Sequence, residues 1–242
     1  MAKKRISDVL IEVLANAGIE RIYGITGDSL NSVNDSLRRN GKIAFEHVRH
    51  EETAAFAAGA EASLTGKLTV CAGSSGPGNL HLINGLFDCH RNRVPVLAIA
   101  SHIPQSEVGL NYFQETHPEN LFKECSCFCE LISNPKQMPE ILFRAMNAAV
   151  GNQDVAVIVL PGDVAVMETE IDELPVWHHP RLPHIVPQRE DIEEMSAHLE
   201  KGERITLFCG AGCEGAHDEV VELAKRLQAP VVHAFRGKEW VE

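Results

Sequence analysis

The sequence has no long hydrophobic run, and this absence excludes a membrane-spanning helix. Its apolar stretches, such as residues 94–100, have the length of a strand and fall well short of the roughly 20 residues that cross a bilayer. Residues 1–5 are basic, but no apolar segment follows them as it would in a secretion signal. We therefore expect no membrane segment in this chain and a cytoplasmic location.

Positive charge is also scarce. The chain has 22 Lys and Arg against 34 Asp and Glu, which gives a net charge of -12. Binding to nucleic acid phosphates requires clustered basic side chains. The sequence therefore predicts that nucleic acid is not a partner.

Signs of a disulfide framework are missing as well. The seven cysteines are an odd number, which favours free thiols in a reducing cytosol over a disulfide framework. Cys125, Cys127 and Cys129 alternate along the chain. This spacing predicts buried thiols on one face of a strand, and we predict no metal ligands.

Helix-like and strand-like segments alternate, which predicts an α/β fold with a doubly wound parallel sheet. With 44% hydrophobic residues over 242 positions, the chain can build a sizeable core. Ser7 is expected to cap a first helix that Gly18 ends. We expect strands at about residues 21–25, 43–45, 68–72, 94–100 and 155–160, and further helices at about residues 29–39, 51–66, 79–92 and 138–150.

The pattern breaks at residues 169–187, where four prolines predict a linker between domains. The first domain is then expected at residues 1–168 and a second at residues 188–242. The second contains a helix at 189–200 and a helix near 219–227, with strands at 205–209 and 230–234. Two strands are too few for a stable sheet. This segment is expected either to lean on the first domain or to be part of a truncated chain.

Glu51 and a glycine loop form the most informative motif. Glu51 opens an alanine-rich run, and the loop at residues 73–78 follows the strand expected at residues 68–72. An isolated carboxylate at a helix start is ordinarily only a favourable charge on the helix dipole, and such a loop is ordinarily a plain turn. However, open α/β sheets bind ligands at this position, and glycine lets the backbone approach a ligand closely. Together they indicate a cofactor site.

Five ordered blocks of the sequence resemble the N-terminal, pyrimidine-binding domain of the thiamine diphosphate enzymes, in particular the bacterial pyruvate oxidases that reduce quinone. The blocks are residues 23–31, 49–52, 71–97, 112–115 and 160–164. The resemblance implies thiamine diphosphate as cofactor, with Mg²⁺ and FAD in the complete enzyme. It also implies that residues 188–242 begin a central, FAD-binding-like domain with a Rossmann-like fold.

The resemblance implies that Glu51 is catalytic. A glutamate in this position hydrogen-bonds a ring nitrogen of the cofactor's aminopyrimidine and favours the imino form that removes the proton from thiazolium C2. A pocket of low dielectric strengthens that hydrogen bond. Glu52 is about 100° further around the helix and is expected to face solvent or a neighbouring subunit.

The resemblance also assigns the loop and the start of the next helix to the cofactor. The expected contacts come from Ser75, Gly76, Pro77, Gly78 and His81. Many relatives have Asn where His81 stands, and His fits the oxidase subgroup.

Two further segments are expected near the site. Phe113 and Gln114 match positions that border the substrate, as an aromatic wall and an amide; the alternative is a surface loop. Gly27 and Asp28 match cofactor-binding positions, although Asp28 and Ser29 are also good helix caps, which is the interpretation we favour for them.

In the second segment, Gly210 and Gly212 match only half of a dinucleotide fingerprint. The resemblance places FAD there, with Arg236 or Lys238 supplying positive charge for its diphosphate. Acetolactate synthases also carry FAD at this domain, so the glycines do not separate the two enzyme classes.

A Gly-Asp-Gly motif followed by Asn-Asn, with which relatives hold Mg²⁺ and the cofactor diphosphate in a third domain, is missing from these 242 residues. The family's active site lies between two subunits. We therefore expect at least a homodimer that shares thiamine diphosphate, and a chain that is inactive alone.

The sequence thus predicts the N-terminal portion of a pyruvate oxidase that converts pyruvate, a small 2-keto acid, to acetate and CO2 and passes electrons to quinone. Two alternatives remain: a non-catalytic pyrimidine-domain module for binding or assembly, and an acetolactate synthase-like fragment.

Overall fold

The computed structural model describes residues 2–171 and 173–242. The chain divides into two compact units, one ending at Leu182 and one beginning at Pro183. In the described ranges, no helix is both long and apolar enough to cross a membrane.

Strands and helices alternate through the first unit. Its strands are β1 (Ala2–Arg5), β2 (Arg21–Gly24), β3 (Ala44–His47), β4 (Thr69–Gly73), β5 (Val96–His102), β6 (Phe128–Leu131), β7 (Val155–Pro161) and β8 (Glu168–Ile171). Its helices are α1 (Ile6–Asn16), α2 (Asn31–Asn40), α3 (Glu51–Thr65), α4 (Pro77–Asn92), α5 (Pro118–Leu121), α6 (Met138–Asn152) and α7 (Gly162–Val166).

Six of these strands form one parallel sheet with the order β3-β2-β4-β5-β7-β6. The sheet confirms the predicted α/β fold with a doubly wound parallel sheet. Its two faces are buried against different helices. Along β5, Leu97 and Ile99 join the core that α1, α2 and α6 cover, whereas Val96, Ala98 and Ala100 join the core that α3 and α4 cover. This alternation follows from the two-residue period of a strand.

Helices α3 and α4 pack closely because small residues face each other. A Cβ added to Gly85 of α4 would lie 2.5 Å from Cβ of Ala55 in α3, and one added to Gly59 would lie 2.6 Å from Sγ of Cys89. The alanine-rich run of α3 therefore packs tightly on α4. This contact fixes the start of α3 beside the start of α4.

The N-terminal region differs from the prediction. Ser7 does not cap α1, because the helix begins two residues earlier than such a cap would require, with Arg5 as its N-cap. Oγ of Ser7 lies 2.6 Å from Oγ of Ser32 instead. Residues 2–5 form β1, which pairs antiparallel with β8. Residues 169–171, predicted as the start of a linker, belong to β8 instead.

The first unit also extends beyond the predicted boundary at residue 168. Residues 174–188 form neither helix nor strand, as their prolines suggest. Trp177 within this stretch is nevertheless buried, and its Nε1 donates a hydrogen bond to Oδ1 of Asn147 at 2.9 Å. Packing of one large side chain therefore attaches this irregular segment to α6.

The prediction that three alternating cysteines share one face of a strand is wrong. Cys129 alone lies in β6, whereas Cys125 is buried in the preceding turn and Cys127 is exposed. The strand begins only at Phe128, so the alternation of the sequence is not an alternation of the structure.

The second unit contains α8 (Arg189–Glu200), β9 (Leu207–Cys209), α9 (His217–Leu227), β10 (Val231–His233) and α10 (Lys238–Val241). Strands β9 and β10 pair in parallel, with α9 between them in the chain. This βαβ arrangement agrees with the predicted start of a Rossmann-like domain.

Candidate active site

The candidate site lies at the carboxyl ends of two neighbouring strands. Strand β2 pairs with β3 on one side and with β4 on the other, so the order of the strands reverses between β2 and β4. Open α/β sheets bind ligands at such a switch point, because the loops leaving the two strands diverge there. The loop after β2 contains Gly27 and Asp28, and the loop after β4 is the predicted glycine loop.

The two loops are in contact. A Cβ on Gly27 would lie 2.3 Å from Oγ of Ser74, so only glycine allows this approach. Oγ of Ser29 lies 2.9 Å from Oγ of Ser74 and accepts a hydrogen bond from the backbone N–H of Ser75 at 2.9 Å. These contacts place Gly27 against the glycine loop.

A left-handed glycine shapes the turn into α4. Gly76 has φ 69° and ψ -114°, a conformation that L side chains rarely adopt, and Pro77 follows at the first helical position. A Cβ on Gly76 would lie 2.7 Å from Cβ of Gln114. The turn is therefore built for close approach of another segment, and Gln114 occupies that space.

Glu51 lies in the first turn of α3 and is 8% exposed. Its Oε2 lies 3.0 Å from Nδ1 of His81 in α4, so the imidazole donates to the carboxylate. A Cβ on Gly78 would lie 3.2 Å from Oε1. The structure thus brings Glu51, Gly78 and His81 together, which the sequence analysis anticipated only from the resemblance.

His50 belongs to the same group, and the sequence analysis did not assign it a role. Its Nδ1 accepts a hydrogen bond from the backbone N–H of Glu52 at 3.3 Å and so caps α3. Its ring stacks on His81, with centroids 4.3 Å apart and an angle of 25° between the planes. The position directly before Glu51 was the available signal, but one sequence could not show that α4 brings a second imidazole to it.

Gln114 approaches the glycine loop, but Phe113 lies outside. Oγ of Ser75 donates a hydrogen bond to Oε1 of Gln114 at 3.3 Å, and Gln114 itself has a left-handed φ of 68°. Phe113 is 78% exposed. The carboxylate of Glu115 accepts hydrogen bonds from the backbone N–H groups of Gly109 and Tyr112. These backbone bonds, that of Gly109 most of all, lower the pKa of Glu115 below its usual value.

The favoured interpretation of Asp28 and Ser29 as helix caps is wrong. Asp28 is exposed, and the N-caps of the short 3-10 turn Asp28–Leu30 and of α2 are Gly27 and Leu30, without a side-chain bond. Ser29 instead bonds across to Ser74 and Ser75. Glu52 accepts a hydrogen bond from Nδ2 of Asn84 in α4, which places its carboxylate between the two helices rather than wholly in solvent.

A series of buried hydrogen bonds, which the sequence analysis missed, connects the segments that form the site. Nδ2 of the fully buried Asn79 donates to the carbonyl of Ser101 at 2.7 Å, and Oγ of Ser101 donates to the carbonyl of Ser29 at 2.6 Å. These bonds join the start of α4, the end of β5 and the loop after β2. They hold the glycine loop in one position relative to the sheet.

In the second unit, the predicted glycines lie at the end of β9. A Cβ on Gly237 would lie 3.1 Å from Cα of Gly210 and 2.4 Å from the carbonyl oxygen of Cys209, so two backbone segments meet there. Gly212 has open space around it. Nζ of Lys238 lies 3.3 Å from Oε2 of Glu242. Arg236 lies in the short 3-10 turn Phe235–Gly237.

The residues of the first unit fit the pyrimidine end of thiamine diphosphate. In its imino form, an aminopyrimidine carries a proton on a ring nitrogen, and it then requires a hydrogen-bond acceptor at that nitrogen and room against its face. A buried carboxylate beside a glycine turn provides both, because the glycines leave no Cβ in the way. Glu51 supplies the acceptor, and Gly78 leaves room beside its Oε1.

Comparison with known proteins supports this interpretation. Residues 4–121 match the description "Thiamine pyrophosphate enzyme, N-terminal TPP binding domain", and residues 192–242 match "Thiamine pyrophosphate enzyme, central domain". The two matches together span well over half of the chain.

Similar proteins cover almost the whole chain. An "uncharacterized 42.6 kDa protein in isoamylase 3'region" of Pseudomonas amyloderamosa is 58% identical over 100% of the chain and 61% of its own length. The pyruvate oxidase of Lactiplantibacillus plantarum is 32% identical over 95% of the chain and 38% of its own length. An acetolactate synthase of Arthrospira platensis is 32% identical over 98% of the chain and 43% of its own length. The chain thus spans less than two thirds of each of these relatives, and it belongs to the thiamine pyrophosphate enzyme family, of which it represents the N-terminal portion.

Proposed function

We propose that the chain is the N-terminal portion of a pyruvate oxidase that depends on thiamine diphosphate and FAD, and that Glu51 is its catalytic carboxylate. The observation that carries this proposal is the bond of 3.0 Å between Oε2 of Glu51 and Nδ1 of His81 at the glycine turn. This hydrogen bond orients the buried carboxylate of Glu51 before any ligand binds. The entropy cost of orienting the carboxylate on binding is therefore lower.

Glu51 would accept a hydrogen bond from the ring N–H of the imino form of the pyrimidine. Gly78 would let that ring approach the carboxylate, and the backbone of Gly76 would border it. Burial strengthens such a bond, because fewer water molecules compete for the carboxylate. His81 would hold the carboxylate in position from the opposite side. Gly27, Asp28, Ser75 and Pro77 complete the proposed cofactor-binding set.

The reaction would be the oxidative decarboxylation of pyruvate: pyruvate and water yield acetate, CO2, two protons and two electrons. Bound thiamine diphosphate supplies the electron sink that this decarboxylation needs. The two electrons would leave through FAD to quinone. Glu51 and His81 would orient the pyrimidine, and the closely packed α3 and α4 would exclude water from the carboxylate.

Gln114 and Phe113 are the proposed substrate-side residues. The amide of Gln114 is held by Ser75 at the edge of the glycine turn, where it could bond a carboxylate of a 2-keto acid. Phe113 is exposed in this single chain. A large exposed aromatic side chain beside a site is typical of a surface that a second copy covers. This fits our proposal that the active protein is a homo-oligomer sharing its cofactor between subunits.

The second unit is the proposed beginning of the FAD-binding domain. Gly210 and Gly212 follow β9 at the position where a dinucleotide fingerprint begins, and Arg236 and Lys238 lie after β10. Mg²⁺ and the cofactor diphosphate would be held outside these 242 residues, because the motif that binds them in relatives is not in this sequence.

Acetolactate synthase is the second candidate, because such an enzyme is as similar to the chain as the pyruvate oxidase is. His81 favours the oxidase. The protein that carries this chain should be purified from its native cells and supplied with thiamine diphosphate, Mg²⁺, FAD, pyruvate and a soluble quinone. We expect acetate and CO2 in equal amounts together with quinone reduction. Acetolactate would favour the synthase, and thiamine binding without turnover would favour a non-catalytic module.

A further inference from the structure

The side chains of His50, Glu51 and His81 offer one nitrogen or oxygen ligand atom each, and these atoms all lie within 4.8 Å of one another. Glu51 is buried, whereas the side chains of His50 and His81 are 46% and 44% exposed. The group therefore has a fixed carboxylate at its base and an open path from solvent. In the part of the chain that the structure describes, this is the sole group of its kind.

We propose that these three residues bind a divalent d-block cation, with Zn²⁺ as the preferred ion, when no thiamine compound is present. Two imidazoles and one carboxylate are a common ligand set for Zn²⁺ in sites that keep one position open. Imidazole nitrogen is a poor ligand for Mg²⁺ and Ca²⁺, which take oxygen. The site is therefore chemically different from the Mg²⁺ site that the family resemblance implies.

The geometry requires a small rearrangement. Bonds of about 2.1 Å in a tetrahedron place ligand atoms roughly 3.4 Å apart. Nδ1 of His81 and Oε2 of Glu51, at 3.0 Å, are near this separation. The stacked rings of His50 and His81 do not converge on one point, so one of them must turn about χ2. The exposure of both side chains leaves room for this rotation.

The cation would compete with thiamine compounds. In the function proposed above, Glu51 bonds the pyrimidine, and a carboxylate that ligates Zn²⁺ no longer offers that acceptor. This consequence rests on the proposed function, whereas the cation site itself does not. Zn²⁺ would thus inhibit cofactor loading at the same carboxylate that the cofactor needs.

The test uses Co²⁺ as a spectroscopic probe in the 242-residue chain. The exposed thiol of Cys127 and the half-exposed thiols of Cys129 and Cys213 are removed by C127S, C129S and C213S, so that ligation by these thiolates does not contribute. We expect visible absorption of tetrahedral Co²⁺ that Zn²⁺ abolishes. His81→Ala should weaken Co²⁺ binding by at least about tenfold, the loss that even an outer partner of a metal ligand causes. Glu51→Gln should weaken it similarly.

His90 provides the matched control. It lies on the same helix as His81 and its Nδ1 is 2.7 Å from a carboxylate oxygen of Asp154, but no second imidazole joins this pair among the described residues. His90→Ala should leave Co²⁺ binding unchanged. Co²⁺ binding that is absent, or that H81A and E51Q do not weaken, would overturn the proposal. Circular dichroism identifies a variant that does not fold, and the more conservative His81→Gln then replaces H81A.

A thiamine titration with and without Zn²⁺ separates the two proposals. Weaker thiamine binding in the presence of Zn²⁺ supports competition. Thiamine binding without any Co²⁺ binding would overturn the cation site and leave the proposed function standing. Co²⁺ binding without any thiamine binding would overturn the proposed function and leave the cation site standing.

Discussion

Oε2 of Glu51 and Nδ1 of His81 lie 3.0 Å apart, although 30 residues separate them in the chain. One residue opens α3 and the other lies in the second turn of α4. Because α3 and α4 pack through glycine and alanine, their starting turns meet at the carboxyl edge of the sheet. The position of the carboxylate therefore depends on how these two helices pack.

Replacing Glu51 with Gln should weaken the binding of thiamine to this chain by roughly fivefold. A charged acceptor contributes about 1.5–3 kcal/mol to a hydrogen bond and a neutral one about 0.5–1.5, a difference near 1 kcal/mol. Isothermal titration calorimetry would measure the change. Glu52→Gln is the matched control, because its carboxylate contacts Asn84 and not the glycine turn. Equal effects of both variants would contradict the assignment.

Gly78→Ala should disturb the site more than the fold. The new Cβ would lie 3.2 Å from Oε1 of Glu51 and 3.3 Å from Cβ of Ser74, so the carboxylate must move by a few tenths of an ångström. Alanine favours the helix by up to about 1 kcal/mol, which offsets part of this contact. We expect thiamine affinity to fall while the free energy of unfolding changes by less than about 1 kcal/mol. Gly151→Ala in α6, which meets no atom within 4 Å, should leave affinity unchanged.

Gly85→Ala should destabilise the first unit. Its Cβ would lie 2.5 Å from Cβ of Ala55 and 2.8 Å from the backbone oxygen of Glu52, and neither can yield without moving a helix. Overpacking of this kind costs about 1–3 kcal/mol. Urea unfolding would measure the free energy of unfolding of the Gly85 variant, with Gly151→Ala as the control. A variant as stable as the wild type would show that α3 and α4 are more loosely packed than described.

Buried thiols should make the fold sensitive to alkaline pH. Burial raises the pKa of Cys89 to about 12 and that of Cys125 to about 11. In the unfolded chain these thiols ionise near pH 8.5, as free thiols do. Because the folded pKa is the higher one, the stabilisation is fully present below about pH 8.5 and is lost as the pH rises toward the folded pKa.

The measurement is the free energy of unfolding at several pH values between about 8.5 and 11. Each such thiol should contribute a slope of up to about 1.4 kcal/mol per pH unit. Cys89→Ala should lower stability at neutral pH, because it leaves a cavity, and should also reduce this slope. Cys127→Ser, at an exposed position, should reduce it less. An unchanged slope in the Cys89 variant would contradict the buried thiol's role.

Acid should weaken the contact between α1 and α2. Burial alone would raise the pKa of Asp8, but hydrogen bonds from Ser36, Arg5 and Arg39 together lower it below its usual value. A lowered folded pKa gives stability that is present above the unfolded value near 3.9 and lost as the pH falls through the folded one. Asp8→Asn should therefore flatten the loss of stability below about pH 4. The same steep loss in the variant would exclude this cluster as its cause.

The sequence by itself determined the parallel sheet and the glycine turn, and it predicted a catalytic role for Glu51. Hydrophobic runs of strand length, glycine at helix ends and the spacing of local motifs are properties of short segments, and a short segment fixes its own secondary structure and turn type. For the same reason the sequence predicted a cofactor site between β4 and α4, and its five blocks pointed to the family.

Only the tertiary structure decided which side chains meet. The stack of His50 on His81, the bond from Ser29 to the glycine loop and the pairing of β1 with β8 join segments that are distant in the chain. No periodicity encodes such contacts, because they depend on helix packing and strand order. Three local interpretations were wrong for the same reason. Ser7 was expected to cap α1 but contacts Ser32, and Asp28 was expected to cap a helix but does not. The alternating cysteines were expected to share one strand, but β6 begins only at Phe128.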